Sequence, residues 1–117
     1  MNKIYHLASC STCQRIIKEL QPLGEFELQN IREEKITETQ IDEMAKAVGS
    51  YEALFSRRAM KYKSMGLADK NLSEEDYRQL ILEEDTFLKR PVIFVDSAIF
   101  VGNSKKTIEG VKNALKK

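Results

Sequence analysis

Residues 3–13 read Lys-Ile-Tyr-His-Leu-Ala-Ser-Cys-Ser-Thr-Cys, and the fold is decided here. Lys3 to Leu7 is a short strand candidate, and the Ala-Ser-Cys-Ser-Thr segment behind it is small and polar, as suits a loop that opens a helix. Ile16, Ile17 and Leu20 then recur at helical spacing, and Pro22 and Gly24 end that helix. Glu25 to Gln29 alternates apolar Phe26 and Leu28 with polar neighbours in the two-residue period of a strand. The opening of the chain is therefore a βαβ unit.

Outward from that unit the periodicity changes. Thr37 to Gln40 has the form of a capping box, and Ile41, Met44, Ala45 and Val48 behind it predict a helix running to Gly49. Tyr51 to Phe55 is a short apolar turn, and Ser73 to Asp76 opens another helix with Tyr77, Leu80 and Ile81 inward. Val92 to Val95 is an unbroken apolar run rich in β-branched residues, which suits a central strand covered on both faces. Asp96 and Ser97 can turn the chain, Ala98 to Val101 pairs back as a hairpin, and Ile108, Val111 and Leu115 line a last helix. The order βαβ, helices, ββα predicts an α/β chain of thioredoxin-like layout, with a mixed central sheet flanked by helices. One domain over 1–117 is expected, with a helical insertion at about 37–88.

Composition narrows the function. Hydrophobic residues at 42% and charged residues at 32% are ordinary globular usage. A net charge of +1, from 19 basic and 18 acidic side chains, gives no global field to gather nucleic acid or an anionic membrane, so any anion site must be local. The first residues lack a signal peptide's apolar stretch and no later run could span a bilayer, so a cytoplasmic protein is expected. Two cysteines in a reducing compartment are more often catalytic, redox-sensing or metal-binding than structural. His6 is the only histidine and there is no second CxxC, so no metal centre and no organic cofactor are expected.

The chemistry concentrates at Cys10 and Cys13. A cysteine at a helix start meets unpaired backbone N–H groups and the positive end of the helix dipole, which favour thiolate over thiol. Cys13, three residues on, falls on the same side of the helix, within reach of a disulfide, unless both cysteines are simply small buried hydrophobes. His6 reads equally as a source of charge or relay for a proton and as a strand residue without a role. Arg57, Arg58 and Arg90 carry guanidinium forks suited to oxyanions, although Arg57 and Arg58 also fit a solvated basic face with Lys61 and Lys63. Pro91 suits the first position of a core strand and is a candidate for a cis peptide, which would hold a rigid edge against Cys10.

Together, His6-x-x-x-Cys10, Ala53-Leu-Phe-Ser-Arg-Arg58, Tyr62 before Met65-Gly-Leu67, and Lys89-Arg-Pro-Val-Ile93 resemble the arsenate reductase family of glutaredoxin-linked type and the related Spx-type regulators. The likeness covers nearly the whole chain. It implies a thioredoxin-like fold and a nucleophile at Cys10, to which the residues themselves add Cys13 as the resolving thiol and His6 as a helper. Arsenate would be held by arginines, Arg90 matching one of them, and glutathione with glutaredoxin or thioredoxin would restore the thiol. The family's first arginine aligns with Ser56, beside Arg57 and Arg58, and its third falls near Asn103. The CxxC and the Val101-Gly102 pair point to the Spx-like side, which implies a redox switch that binds RNA polymerase.

Overall fold

The structure, a computed structural model, describes residues 2–116. They form two compact units, one of residues up to 35 together with those from 90 onward, the other of residues 36–89. No helix among the described residues is long and apolar enough to cross a membrane.

The first unit holds the sheet. Strand β1 (Asn2–His6) leads through a loop into α1 (Ser11–Leu20), and after a 3-10 turn the chain returns as β2 (Glu27–Asn30), parallel to β1. Strands β3 (Val92–Val95) and β4 (Ala98–Val101) form the later hairpin, and β3 lies antiparallel to β1, giving the order β2-β1-β3-β4. Asp96 turns the hairpin at φ 54°, a left-handed conformation that a short polar side chain tolerates. The last helix, at Lys105–Leu115, is capped by Ser104, whose hydroxyl accepts from Thr107 N–H.

The apolar faces predicted from helical spacing meet the sheet. Ile16, Ile17 and Leu20 of α1 pack with Ile4 of β1, Ile93 and Val95 of β3, and Ile108 and Val111 of the last helix. Leu20 and Ile93 are wholly buried, and truncating either to alanine costs about 2–5 kcal/mol. The strand predicted at Glu25 to Gln29 is displaced: β2 begins at Glu27 and Phe26 lies just before it, half-buried against this core. Within β2 the expected alternation fails, because Leu28 is 40% exposed on an edge strand while Gln29 is buried and donates to the Glu34 carbonyl at 2.9 Å.

In the second unit, α2 (Glu38–Val48) starts with the expected capping box at Thr37 and Gln40, and Gly49 ends it at φ 110°. A one-turn helix, α3 (Met60–Ser64), has no counterpart in the sequence reading. Helix α4 (Glu74–Glu83) starts from a second capping box at Ser73 and Asp76. Phe55 stacks on Phe87 at 5.0 Å and meets Tyr77 at 4.9 Å and Tyr62 at 5.9 Å. Arg78 of α4 binds Asp42 at 2.8 Å and Glu38 at 3.1 Å, tying it to α2. The helix at Lys105–Leu115 is thus α5.

Candidate active site

The loop from β1 to α1 closes on itself: Cys10 N–H donates to the Leu7 carbonyl at 2.9 Å. Cys10 is then extended, with φ −89° and ψ 107°, and forms the N-cap of α1. Its sulfur takes the capping role usually filled by a serine or aspartate oxygen, accepting from Cys13 N–H at 3.4 Å. Cys10 is half-buried, Cys13 is buried, and the two are not bonded to each other.

Their electrostatics diverge. Burial opposes the Cys10 thiolate, but the Cys13 backbone N–H, the Cys13 thiol, the Arg90 guanidinium and the Thr12 backbone outweigh it and hold Cys10 below its ordinary value. For Cys13 burial prevails: only partly offset by the Leu7 backbone and Arg90, and reinforced by Cys10, it pushes the thiol up to about 11. A thiol eased towards ionisation and a thiol held protonated sit three residues apart. Among the described residues, no group of three or more His, Cys, Asp or Glu side chains could hold a metal ion.

Arg90 belongs to the same unit, at the entry to β3, and its peptide bond to Pro91 is cis. The Pro91 carbonyl accepts from Gly102 N–H at 2.9 Å, with Gly102 at φ 97° where β4 ends. Nε and Nη1 of Arg90 are buried and make no hydrogen bond. Buried donors are ordinarily paired, so this guanidinium presents capacity for an anion in the neighbourhood of Cys10.

Of the remaining candidates, His6 belongs to the same unit as Cys10, and Arg57 and Arg58 to the other. His6 is 8% exposed at the end of β1, and burial lowers its pKa, which disfavours the charged imidazolium. Arg57 and Arg58 lie in the second unit, both exposed. Arg57 is held by Glu52 at 2.8 Å and the Tyr77 hydroxyl at 3.0 Å. Gln14 was not anticipated: its Nε2 lies 3.3 Å from His6 Nδ1 and 3.3 Å from the Leu7 carbonyl oxygen. A lone glutamine after the second cysteine carries no sequence signal that would have marked it.

The four-stranded mixed sheet, the βαβ start and the cysteine at the head of α1 define a thioredoxin-like domain. The sequence model of the ArsC family matches residues 5–111, and the chain belongs to that family. No curated protein sequence matches it significantly. Among solved structures it is similar to an arsenate reductase from Vibrio cholerae, at 18% identity over 97% of this chain and 96% of that one, with a TM-score of 0.79. It is also similar to an arsenate reductase (ArsC) related protein from Brucella melitensis, at 22% identity over 93% and 92% of the two chains and a TM-score of 0.73. A protein from Staphylococcus aureus is 24% identical over 94% and 97%, with a TM-score of 0.77. At these identities the likeness speaks for the fold.

Proposed function

We propose that the chain is a thiol oxidoreductase of the arsenate reductase type that uses Cys10 and Cys13 as a dithiol. The observation that carries this is the pair of opposed thiol environments at the start of α1, both under the electrostatic influence of a guanidinium with two buried, unpaired donors. The Cys10 thiolate attacks the arsenic of arsenate and one oxygen leaves as water, giving a thioester of arsenic(V). Cys13 then attacks Cys10 Sγ. An S–S bond forms, the S–As bond breaks and its electron pair passes to arsenic, which leaves as arsenite, while the Cys13 proton goes to solvent. Two thiols have lost two electrons, which two glutathione molecules, leaving as glutathione disulfide, or the dithiol of glutaredoxin or thioredoxin, leaving as its disulfide, return.

Cys13 suits the second step because part of what keeps it protonated is Cys10 itself. Once Cys10 Sγ is bonded to arsenic it no longer carries the thiolate charge and no longer competes for Cys13's proton, while Arg90 and the Leu7 backbone continue to offset burial at Cys13. The CxxC and the Gly102 turn after β4 also fit a redox switch that binds RNA polymerase without turnover.

A multiple-turnover assay with arsenate, glutathione and glutaredoxin separates the two. The enzyme reading expects many arsenite molecules per chain, abolished in Cys10→Ser. Formation of the Cys10–Cys13 disulfide with no arsenite beyond the background would reject the reductase and leave the switch.

A further inference from the structure

His6 closes β1 and Gln14 stands in the first turn of α1, and their side chains meet beside the loop that carries Cys10. Gln14 Nε2 lies 3.3 Å from the Leu7 carbonyl oxygen and 3.3 Å from His6 Nδ1. The carbonyl can only accept, so it fixes which end of the amide faces this way and uses one of its two N–H groups. The second N–H is left for Nδ1, which can receive it only with its lone pair. From this geometry we infer that Gln14 is a positioning residue that holds His6 as the neutral imidazole with its proton on Nε2. The same amide braces the Leu7 carbonyl onto which Cys10 N–H closes at 2.9 Å. The inference deepens the thiol-chemistry reading and rests on it only for its catalytic consequence.

Every alternative loses a hydrogen bond. A proton on Nδ1, in the imidazolium or the other neutral tautomer, sets N–H against N–H. Turning the amide over presents Oε1 to the ring but also to the Leu7 carbonyl, oxygen against oxygen. His6 is 8% exposed, so solvent is poorly placed to repair either mismatch. The surroundings do not favour protonation. Strand β2 offers Asn30 in register with His6, β3 offers Val92 beside Tyr5, and the titratable and charged residues of the loop, α1 and the β3 entry are Cys10, Cys13, Arg15, Lys18, Glu19, Lys89 and Arg90. Burial is the cause of the lowered His6 pKa, with no neighbouring charge contributing.

The consequence is that His6 adds no charge to the Cys10 thiolate, and Nδ1 cannot take a proton from Cys13 without displacing the amide. The thiolate rests on backbone N–H groups, the Cys13 thiol and Arg90 instead.

The chain has one histidine, so the imidazole nitrogens of the full-length protein can be read unambiguously by ¹⁵N NMR from about pH 5 to about pH 8. The expected result is an unprotonated Nδ1 and a protonated Nε2 at neutral pH, with a midpoint below 6.5. Gln14→Leu, which removes the donor without adding charge, should populate both neutral tautomers. Gln14→Glu, which puts an acceptor at Nδ1, should invert the tautomer and make the imidazolium at least tenfold easier to form. A wild-type ring protonated on Nδ1, or the wild-type tautomer persisting in both variants with well-dispersed spectra, would overturn the inference. The wild-type measurement decides even if one variant fails to fold. Because no substrate is present, absent arsenate turnover would count against the proposed function and leave this result untouched.

Discussion

Replacing Arg90 by alanine removes a guanidinium that acts on both cysteines and whose buried Nε and Nη1 carry no hydrogen bond. Cys10 is half-buried, so the lower end of the charge-assisted range applies, about 1.5 kcal/mol, which changes the thiolate-to-thiol ratio roughly tenfold. A more basic thiolate is also a better nucleophile, with a slope of about 0.4–0.5, which returns a factor of roughly three. Alkylation of Cys10 in a Cys13→Ser background should therefore slow about threefold at pH values below both ionisations. Above both, where wild type and variant are fully ionised, it should quicken about threefold, again by the nucleophilicity slope. Two pH–rate profiles that cross are the signature, and Arg90→Lys, which keeps charge but not the fork, should fall between them. Superimposable profiles would refute a role for Arg90 in holding the thiolate. Slower reaction at every pH, with altered circular dichroism, would make it a structural residue.

Three further outcomes follow from the same coordinates. Iodoacetamide at neutral pH should label Cys10 first, because a thiol at about 11 is ionised to roughly one part in ten thousand at pH 7; mass mapping that finds Cys13 labelled first reverses the roles. The folded chain keeps Cys13 protonated where the unfolded chain ionises, so stability is undiminished below pH 9.0 and declines as pH rises from 9.0 towards 11. That decline should be on the order of 1–2 kcal/mol and should flatten in Cys13→Ala when both are unfolded in urea at each pH. A Cβ at Gly110 would stand 3.0 Å from the Phe100 ring, so Gly110→Ala should set about 1–3 kcal/mol of crowding against about 1 kcal/mol of helix propensity. Adding Phe100→Leu should turn the alanine from net destabilising to stabilising in thermal melts; additive effects would show that the ring is not the obstacle.

Much of this was legible wherever a local rule and the fold agree. Thr37 with Gln40 and Ser73 with Asp76 announce helix starts because their side chains satisfy backbone groups only a few residues away. Cys10 was legible for the same reason, as a cap whose partner, Cys13 N–H, is local. Leu28 misled because alternation reports a strand but not whether the strand is an edge, where one neighbour is missing. Helix α3 was missed because its N-cap, Ala59, makes no side-chain bond and Met60 is 88% exposed, leaving neither a start signal nor an apolar face. The charge of His6 could not be read from its neighbours in sequence, since burial and Gln14 decide it and both depend on β1 meeting α1. The partners of Arg57, Glu52 and the Tyr77 hydroxyl, could not be read locally, since Tyr77 lies twenty residues on.

The pairing of β1 with β3 sets the order in which the molecule can be built. Asn2 pairs with Val95 and Tyr5 with Val92, so a strand from the beginning of the chain waits for one made near its end. Parallel β1 and β2 with α1 between them form from contiguous sequence, and the unit of residues 36–89 is also complete before β3 exists. Contacts of such long sequence separation close late, after a large loop entropy has been met. On the ribosome Cys10 and Cys13 are therefore made well before Arg90 is joined to the chain. The guanidinium arrives with the same segment that completes the sheet, so its share of thiolate stabilisation is added to that of the local Cys13 and Thr12 groups of α1.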